Sequence, residues 1–142
     1  MFKSSKIIVI LLCFSFMQAA YSDEQAYQVT GKAWKAFNQK NWDEVVKLAN
    51  TSLKRWGAKA KETNKSLTAL PQGEEAKGYA NLNEVGTILW LKGEALRNQG
   101  KKAEAKKAYQ LLISDYNYAQ AWDNKGWFWQ PSKAAEKQLK SL

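Results

Sequence analysis

Histidine is absent from the 142 residues, and the single cysteine, Cys13, stands in an apolar run near the N-terminus. These two gaps remove most familiar catalytic chemistry. Without an imidazole there is no Ser-His-Asp or Cys-His pair and no general base that titrates near neutrality. Without a second thiol there is no disulfide, and zinc sites of the usual Cys/His kinds drop out. No cofactor and no metal are expected. Proline is scarce as well: Pro71 and Pro131 are the only two, so long stretches are free of residues that break helices.

What remains is ordinary for a folded domain. Hydrophobic residues make up 45% and charged residues 25%, which is too apolar for a disordered chain. The length suits one domain with one modest core. Aromatics are abundant at 13%, seven of them Trp. The formal charge of +9 suits acidic partners, although a solvated, lysine-rich helix surface accounts for it equally well.

The N-terminus has a three-part layout. Met1 to Lys6 carries Lys3 and Lys6, Ile7 to Met17 is uncharged and apolar, and Gln18 to Ser22 turns small and polar before Asp23. This is the pattern of a cleavable secretory signal peptide. Eleven residues of helix rise only about 16 Å against a hydrocarbon core of about 30 Å, too short for a membrane anchor. Leu12 stands before Cys13, where a lipoprotein leader would carry a small residue. Residues 1–22 are therefore expected to be removed, leaving residues 23–142 as one exported domain, periplasmic or secreted. That domain has no transmembrane span, and the loss of Lys3 and Lys6 lowers its charge from +9 by two to +7.

Helical spacing governs the mature chain. Tyr27, Thr30, Trp34 and Phe37 form one stripe, and Trp42, Val45, Val46, Ala49, Leu53 and Trp56 form the next. Gly57 is placed to end or kink that second helix, and Thr68 to Gly78, with Pro71, Gly73 and Gly78, reads as a loop. Leu82, Val85, Leu89 and Leu96 mark the strongest helix, and Ala105, Ala108, Tyr109, Leu112 and Tyr116 another. Residues 117–130 are aromatic without clear periodicity and hold the turn Asp123-Asn124-Lys125-Gly126. Pro131 suits the first position of a last short helix. The pattern predicts helices near 24–39, 42–56, 81–99, 101–116 and 131–140, with no sheet.

The second helical pair resembles a tetratricopeptide repeat. Gly93, Ala105 and Tyr109 fall on that family's small, alanine and aromatic positions, Leu89 and Leu96 on its large flanking ones, and Gly100 in its turn. The first pair matches through Ala33, Val45 and Ala49, with Lys40 where the turn glycine belongs. Ala33 and Gly93 are 60 residues apart against the family's period of about 34, so an insertion near 57–82 is required. The resemblance implies an all-α fold of helical hairpins, with the aromatic C-terminal segment as a cap. It also implies a concave face lined by the first helix of each pair.

On that face the resemblance places Thr30, Trp34, Phe37 and Asn38 from the first pair, and Trp90, Glu94, Arg97 and Asn98 from the second. Aromatics beside paired charges suit recognition of a protein or peptide. The plain alternative is that neighbouring segments cover the face and make Trp34 and Trp90 ordinary core. In the tail, Trp122, Trp127 and Trp129 suit stacking on sugar rings or sealing of the last hairpin. Of Trp127 and Trp129, one is expected in the core and the other exposed. The basic runs 54–65 and 101–107 lack interleaved aromatics, so nucleic acid is not an expected partner.

The leading expectation is an exported, non-catalytic adaptor that binds a protein or peptide. The alternative is a binder of glycan or anionic cell-envelope polymer, using the tail tryptophans and the basic surface. A third reading, a carboxylate-based glycan hydrolase, would draw on Glu74 and Glu75 or on Asp43 and Glu44. The helix macrodipole explains the latter pair more simply.

Overall fold

A computed structural model of the chain describes residues 24–142. The expected leader, residues 1–22, lies outside the described residues. Helix α1 spans Ala26–Asn38 and buries Val29, Ala33 and Ala36 along one stripe. Helix α2 starts at Trp42, where the Asn41 side chain accepts from the Glu44 backbone N–H at 3.3 Å. Asp43 and Glu44 occupy its first turn, where negative charge complements the dipole.

α2 does not stop at Gly57. It is α-helical over Trp42–Ser52, widens into a π turn over Leu53–Gly57 and resumes as α-helix over Ala58–Ser66. The expected end near residue 56 is thus corrected. Two things carry the helix through: the residues that follow, AKAKE, are strong helix formers, and the Gly57 carbonyl accepts from the Tyr116 hydroxyl at 3.1 Å. Much of the expected insertion is therefore helix, and only a short connection remains. A 3-10 turn over Gly73–Tyr79 leads into α3, Ala80–Asn98. Helix α4 spans Lys102–Asp115, and α5 spans Pro131–Leu139 with Pro131 in its first turn.

Between α4 and α5 the chain makes a small sheet where none was expected. Strands β1 (Ala121–Asp123) and β2 (Trp127–Trp129) pair antiparallel, with Ala121 opposite Trp129, Trp122 opposite Phe128 and Asp123 opposite Trp127. The anticipated turn makes the hairpin. The Asp123 carbonyl accepts from the Gly126 N–H at 2.9 Å, its carboxylate accepts from the Lys125 N–H at 2.8 Å, and Gly126 takes a φ of 102°. Strands of three residues are too short for alternation to show in sequence.

α3 is the central element and packs against α1, α2, α4 and α5. Leu82, Val85, Ile88, Leu89, Leu91 and Leu96 are all but fully buried around its circumference, the pattern of a helix enclosed on every side. Each such side chain contributes about 1.5–3 kcal/mol on leaving water. One cluster joins α3 to α4 and α5 through Leu89, Ala105, Tyr109, Leu112 and Ala135; another joins it to α1 and α2 through Val29, Ala33, Val45 and Ala49. Val46, Trp56 and Trp90 touch both.

Two glycines set the closeness of approach to α3. A Cβ on Gly93 would lie 2.2 Å from Tyr109 Cε1, and one on Gly86 would lie 2.1 Å from Ala119 Cβ. Only a hydrogen fits at either point. The turns that close the two helical pairs are also alike. Gln39, Lys40 and Asn41 donate to the carbonyls of Lys35, Phe37 and Ala36. Gln99, Gly100 and Lys101 donate to those of Ala95, Arg97 and Leu96. Every position is shifted by the same 60 residues, and Lys40 adopts the positive φ (57°) that Gly100 takes (75°). No helix of the described residues is long and apolar enough to cross a membrane.

Candidate functional site

Helices α1 and α3 and the hairpin enclose an open cleft of about 650 Å³. α1 lends it Tyr27, Thr30, Gly31 and Trp34, at the i, i+3, i+4 and i+7 spacing of one helix face. α3 lends Asn83, Glu84 and Thr87 from its first half; the hairpin adds Trp122 and Phe128, and the 3-10 turn adds Lys77. Tyr27 and Trp122 are 62% and 56% exposed, so the lip of the cleft is aromatic and faces water.

Most of its polar side chains are committed to holding the walls. Asn83 Nδ2 donates to the Ala76 carbonyl and its Oδ1 accepts from the Gln120 N–H, both at 2.8 Å. Gln120 Nε2 donates to the Pro71 carbonyl at 2.8 Å. The hydroxyls of Thr87 and Thr30 donate to carbonyls one turn back in their own helices, at 2.7 and 3.2 Å. Glu84 differs. It is the one carboxylate lining the cleft, and among the described residues it forms no ion pair. Burial pushes its carboxyl above the ordinary glutamate range, and the Thr30 hydroxyl only partly offsets this. The other titratable groups lining the cleft are Tyr27 and Lys77. Lys77 is tied to Glu74 at 2.8 Å, and its ammonium lies 5.9 Å from the Trp122 ring centroid.

No family model, no curated protein and no solved structure matches this chain.

The residues expected on the concave face divide. Thr30 and Trp34 line the cleft, and Trp34 meets Trp90 at 6.1 Å between ring centroids; Phe37 is outside it and packs against the cluster around Ala33 and Val45. Trp90 is not in the cleft: the Trp129 ring stands edge-on to it at 5.2 Å, and its indole N–H meets no acceptor among the described residues. Glu94 is buried, with its carboxylate accepting from the Tyr109 hydroxyl at 2.5 Å and from Arg97 at 2.7 Å. Glu94 thus serves the α3–α4 contact. Burial and that carboxylate push the Tyr109 phenol far up, so it stays a donor. Asn98 Nδ2 donates to the Glu94 carbonyl at 2.8 Å, capping its own helix, while Asn38 is exposed at the end of α1.

The tail tryptophans divide too. Trp122 meets Phe128 edge-on at 4.9 Å and 70° in the cleft. Trp127 is 51% exposed outside it, and Trp129 is half-buried on Trp90. Trp127 is the more exposed of the pair, but Trp129 is half-buried rather than in the core. Residues two apart in a strand share a face, so what separates them is distance from the body of the hairpin. Tyr27, Gly31, Asn83, Glu84, Thr87, Lys77 and Phe128 went unforeseen as site residues. Continuing the Trp34 and Trp90 stripes one or two turns toward the helix N-termini would have reached the α1 and α3 members. Among the described residues no group of three or more Asp, Glu, Cys or His side chains comes together to hold a metal ion.

Proposed function

We propose that this chain is an exported, non-catalytic binding module with tetratricopeptide-like helical pairs, and that it takes a peptide segment of a protein partner into the cleft between α1, α3 and the hairpin. The cleft carries this reading. It is about 650 Å³, open, and rimmed by exposed rings, the combination that seats apolar side chains of an extended segment. The repeat-like part rests on the matched turns at a constant offset and on Gly93 lying against Tyr109.

Two observations weigh against the other readings. Trp122 and Trp127 stand on opposite faces of the hairpin, so they cannot form one flat platform for a sugar chain. Hydrolysis by a carboxylate pair needs two groups across a cleft, and Glu84 is alone there. Glu74 is paired with Lys77, and Asp43 accepts from Gln99 at 2.7 Å at the start of α2.

The test is selection of displayed random peptides on the parent protein and on Gly31→Leu. Gly31 lines the cleft, and a Cβ there meets nothing within 4 Å, so a leucine starts from an unstrained Cβ and extends into the cleft; a circular-dichroism spectrum like the parent's checks that the variant is folded. Enrichment on the parent that vanishes with Gly31→Leu is expected. No enrichment, or enrichment indifferent to Gly31→Leu, refutes the reading.

A further inference from the structure

Resting on that peptide-binding reading, we propose that the cleft receives one arginine or lysine side chain of the bound peptide. Its cationic head is set against the Glu84 carboxylate, and its stem lies among the rings of Tyr27, Trp34 and Phe128.

The polar inventory points this way. Asn83, Gln120, Thr87 and Thr30 all spend hydrogen-bonding capacity on backbone groups of the walls. Glu84 is the one carboxylate lining the cleft and forms no ion pair among the described residues; an ionised carboxylate only accepts, so a guest that pairs with it must bring donors. A carboxylate drawn partly out of water without an ion pair is unfavourable by itself, and a cation relieves it. An acidic guest would be repelled there, and a wholly apolar one would leave Glu84 buried and unpaired.

The rings supply the second half of the recognition. Aromatic faces attract ammonium and guanidinium groups, and the chain itself makes such contacts. Lys77 approaches Trp122 inside this cleft, and the Arg55 guanidinium sits 4.2 Å from the Trp56 ring centroid. A long aliphatic stem ending in a charge fits apolar walls over an acidic group. The formal charge, +9 for the whole chain and +7 without Lys3 and Lys6, then limits the surroundings: a peptide with several basic residues is repelled by the surface. The guest is one basic side chain among apolar or acidic neighbours.

The experiment uses short blocked peptides carrying a neutral dye, randomised over apolar and acidic residues except at a fixed central position. The centre is arginine, lysine, citrulline (the uncharged shape-mimic of arginine) or glutamate, and binding is read by fluorescence anisotropy. Arginine and lysine mixtures are expected to bind the parent at least about tenfold tighter than the citrulline mixture, or about 1.4 kcal/mol. Glu84→Gln should erase that preference and leave citrulline binding unchanged. Trp127→Ala, outside the cleft, should change neither. Equal binding of arginine and citrulline mixtures by the parent overturns the proposal with no variant needed, and leaves the peptide-binding reading standing. So does an arginine preference that survives Glu84→Gln. Failure of every mixture to bind removes both.

Discussion

Three glycines inside helices should answer the same substitution with opposite signs. In an exposed helix interior, glycine to alanine gains about 0.5–1 kcal/mol because the unfolded chain has less freedom to lose. Gly31 is such a place, since an added Cβ meets nothing within 4 Å. At Gly93 the same methyl would lie 2.2, 2.6 and 2.8 Å from three atoms of the Tyr109 ring, more than an ångström inside ordinary contact. The ring cannot swing away freely, because its hydroxyl is bound to buried Glu94 at 2.5 Å. At Gly86 the obstacle is Ala119 Cβ at 2.1 Å. That methyl is fixed to the backbone, and the next residue is tied to Asn83. Overpacking of this kind costs at least about 3 kcal/mol, the upper end of the usual range. With the propensity gain subtracted, Gly86→Ala and Gly93→Ala should each lose about 2 kcal/mol or more. Urea unfolding followed by tryptophan fluorescence measures this, as midpoint shifts at constant slope. A Gly93→Ala protein as stable as the parent would refute the close α3–α4 approach, and a Gly31→Ala protein less stable than the parent would refute the openness of the cleft.

Removing the hydroxyl in Tyr109→Phe deprives a buried carboxylate of one donor and should cost about 1.5–3 kcal/mol; a loss below about 0.5 kcal/mol would mean Glu94 is satisfied without it. Glu84→Gln should melt above the parent at neutral pH. The raised pKa means that the folded chain holds the Glu84 proton more tightly than the unfolded one, so its penalty is absent below the unfolded pKa and grows as pH rises through the folded one. The gap between parent and variant should therefore close on acidification, and a gap constant with pH would contradict the assignment. Trp127→Ala should stay within about 0.5 kcal/mol of the parent, whereas Trp129→Ala, half-buried on Trp90, should lose about 2 kcal/mol, near half the cost of truncating a fully buried Trp. Equal denaturant midpoints for the two would refute the division of the tail.

Most helices were readable because they carry an apolar stripe, the last one from Pro131 at its start, and the turn at Asp123 to Gly126 because its residues favour that backbone locally. The extent of α2 was only partly readable: the residues after Gly57 are helix formers, but the tie between the Gly57 carbonyl and Tyr116, fifty-nine residues away, is invisible in the sequence. The hairpin was hidden because its strands are shorter than the window in which alternation can be recognised. Of the site, Trp34 and Trp122 were found as aromatics at helical or unpatterned positions. Glu84 was not, since a single glutamate in a helix looks solvated until its tertiary neighbours are known. Glu94 shows the converse. Its spacing from Trp90 suggested an open face, and only the long-range contact with Tyr109 reveals that it faces inward.

The irregular segments between the helices are the parts that complete the cleft between α1 and α3. The segment between α2 and α3 returns through the 3-10 turn and brings Lys77 to one edge. The hairpin between α4 and α5 brings Trp122 and Phe128 to another. A two-residue period gives this hairpin two jobs at once: Trp129 closes over Trp90 on one face while Trp122 and Phe128 line the cleft on the other. Asn83 joins the two irregular pieces, donating to Ala76 in the inserted segment and accepting from Gln120 at the root of the hairpin. One residue beyond it stands Glu84. The side chain that fixes the walls and the one carboxylate lining the cleft are thus neighbours on the same turn of α3.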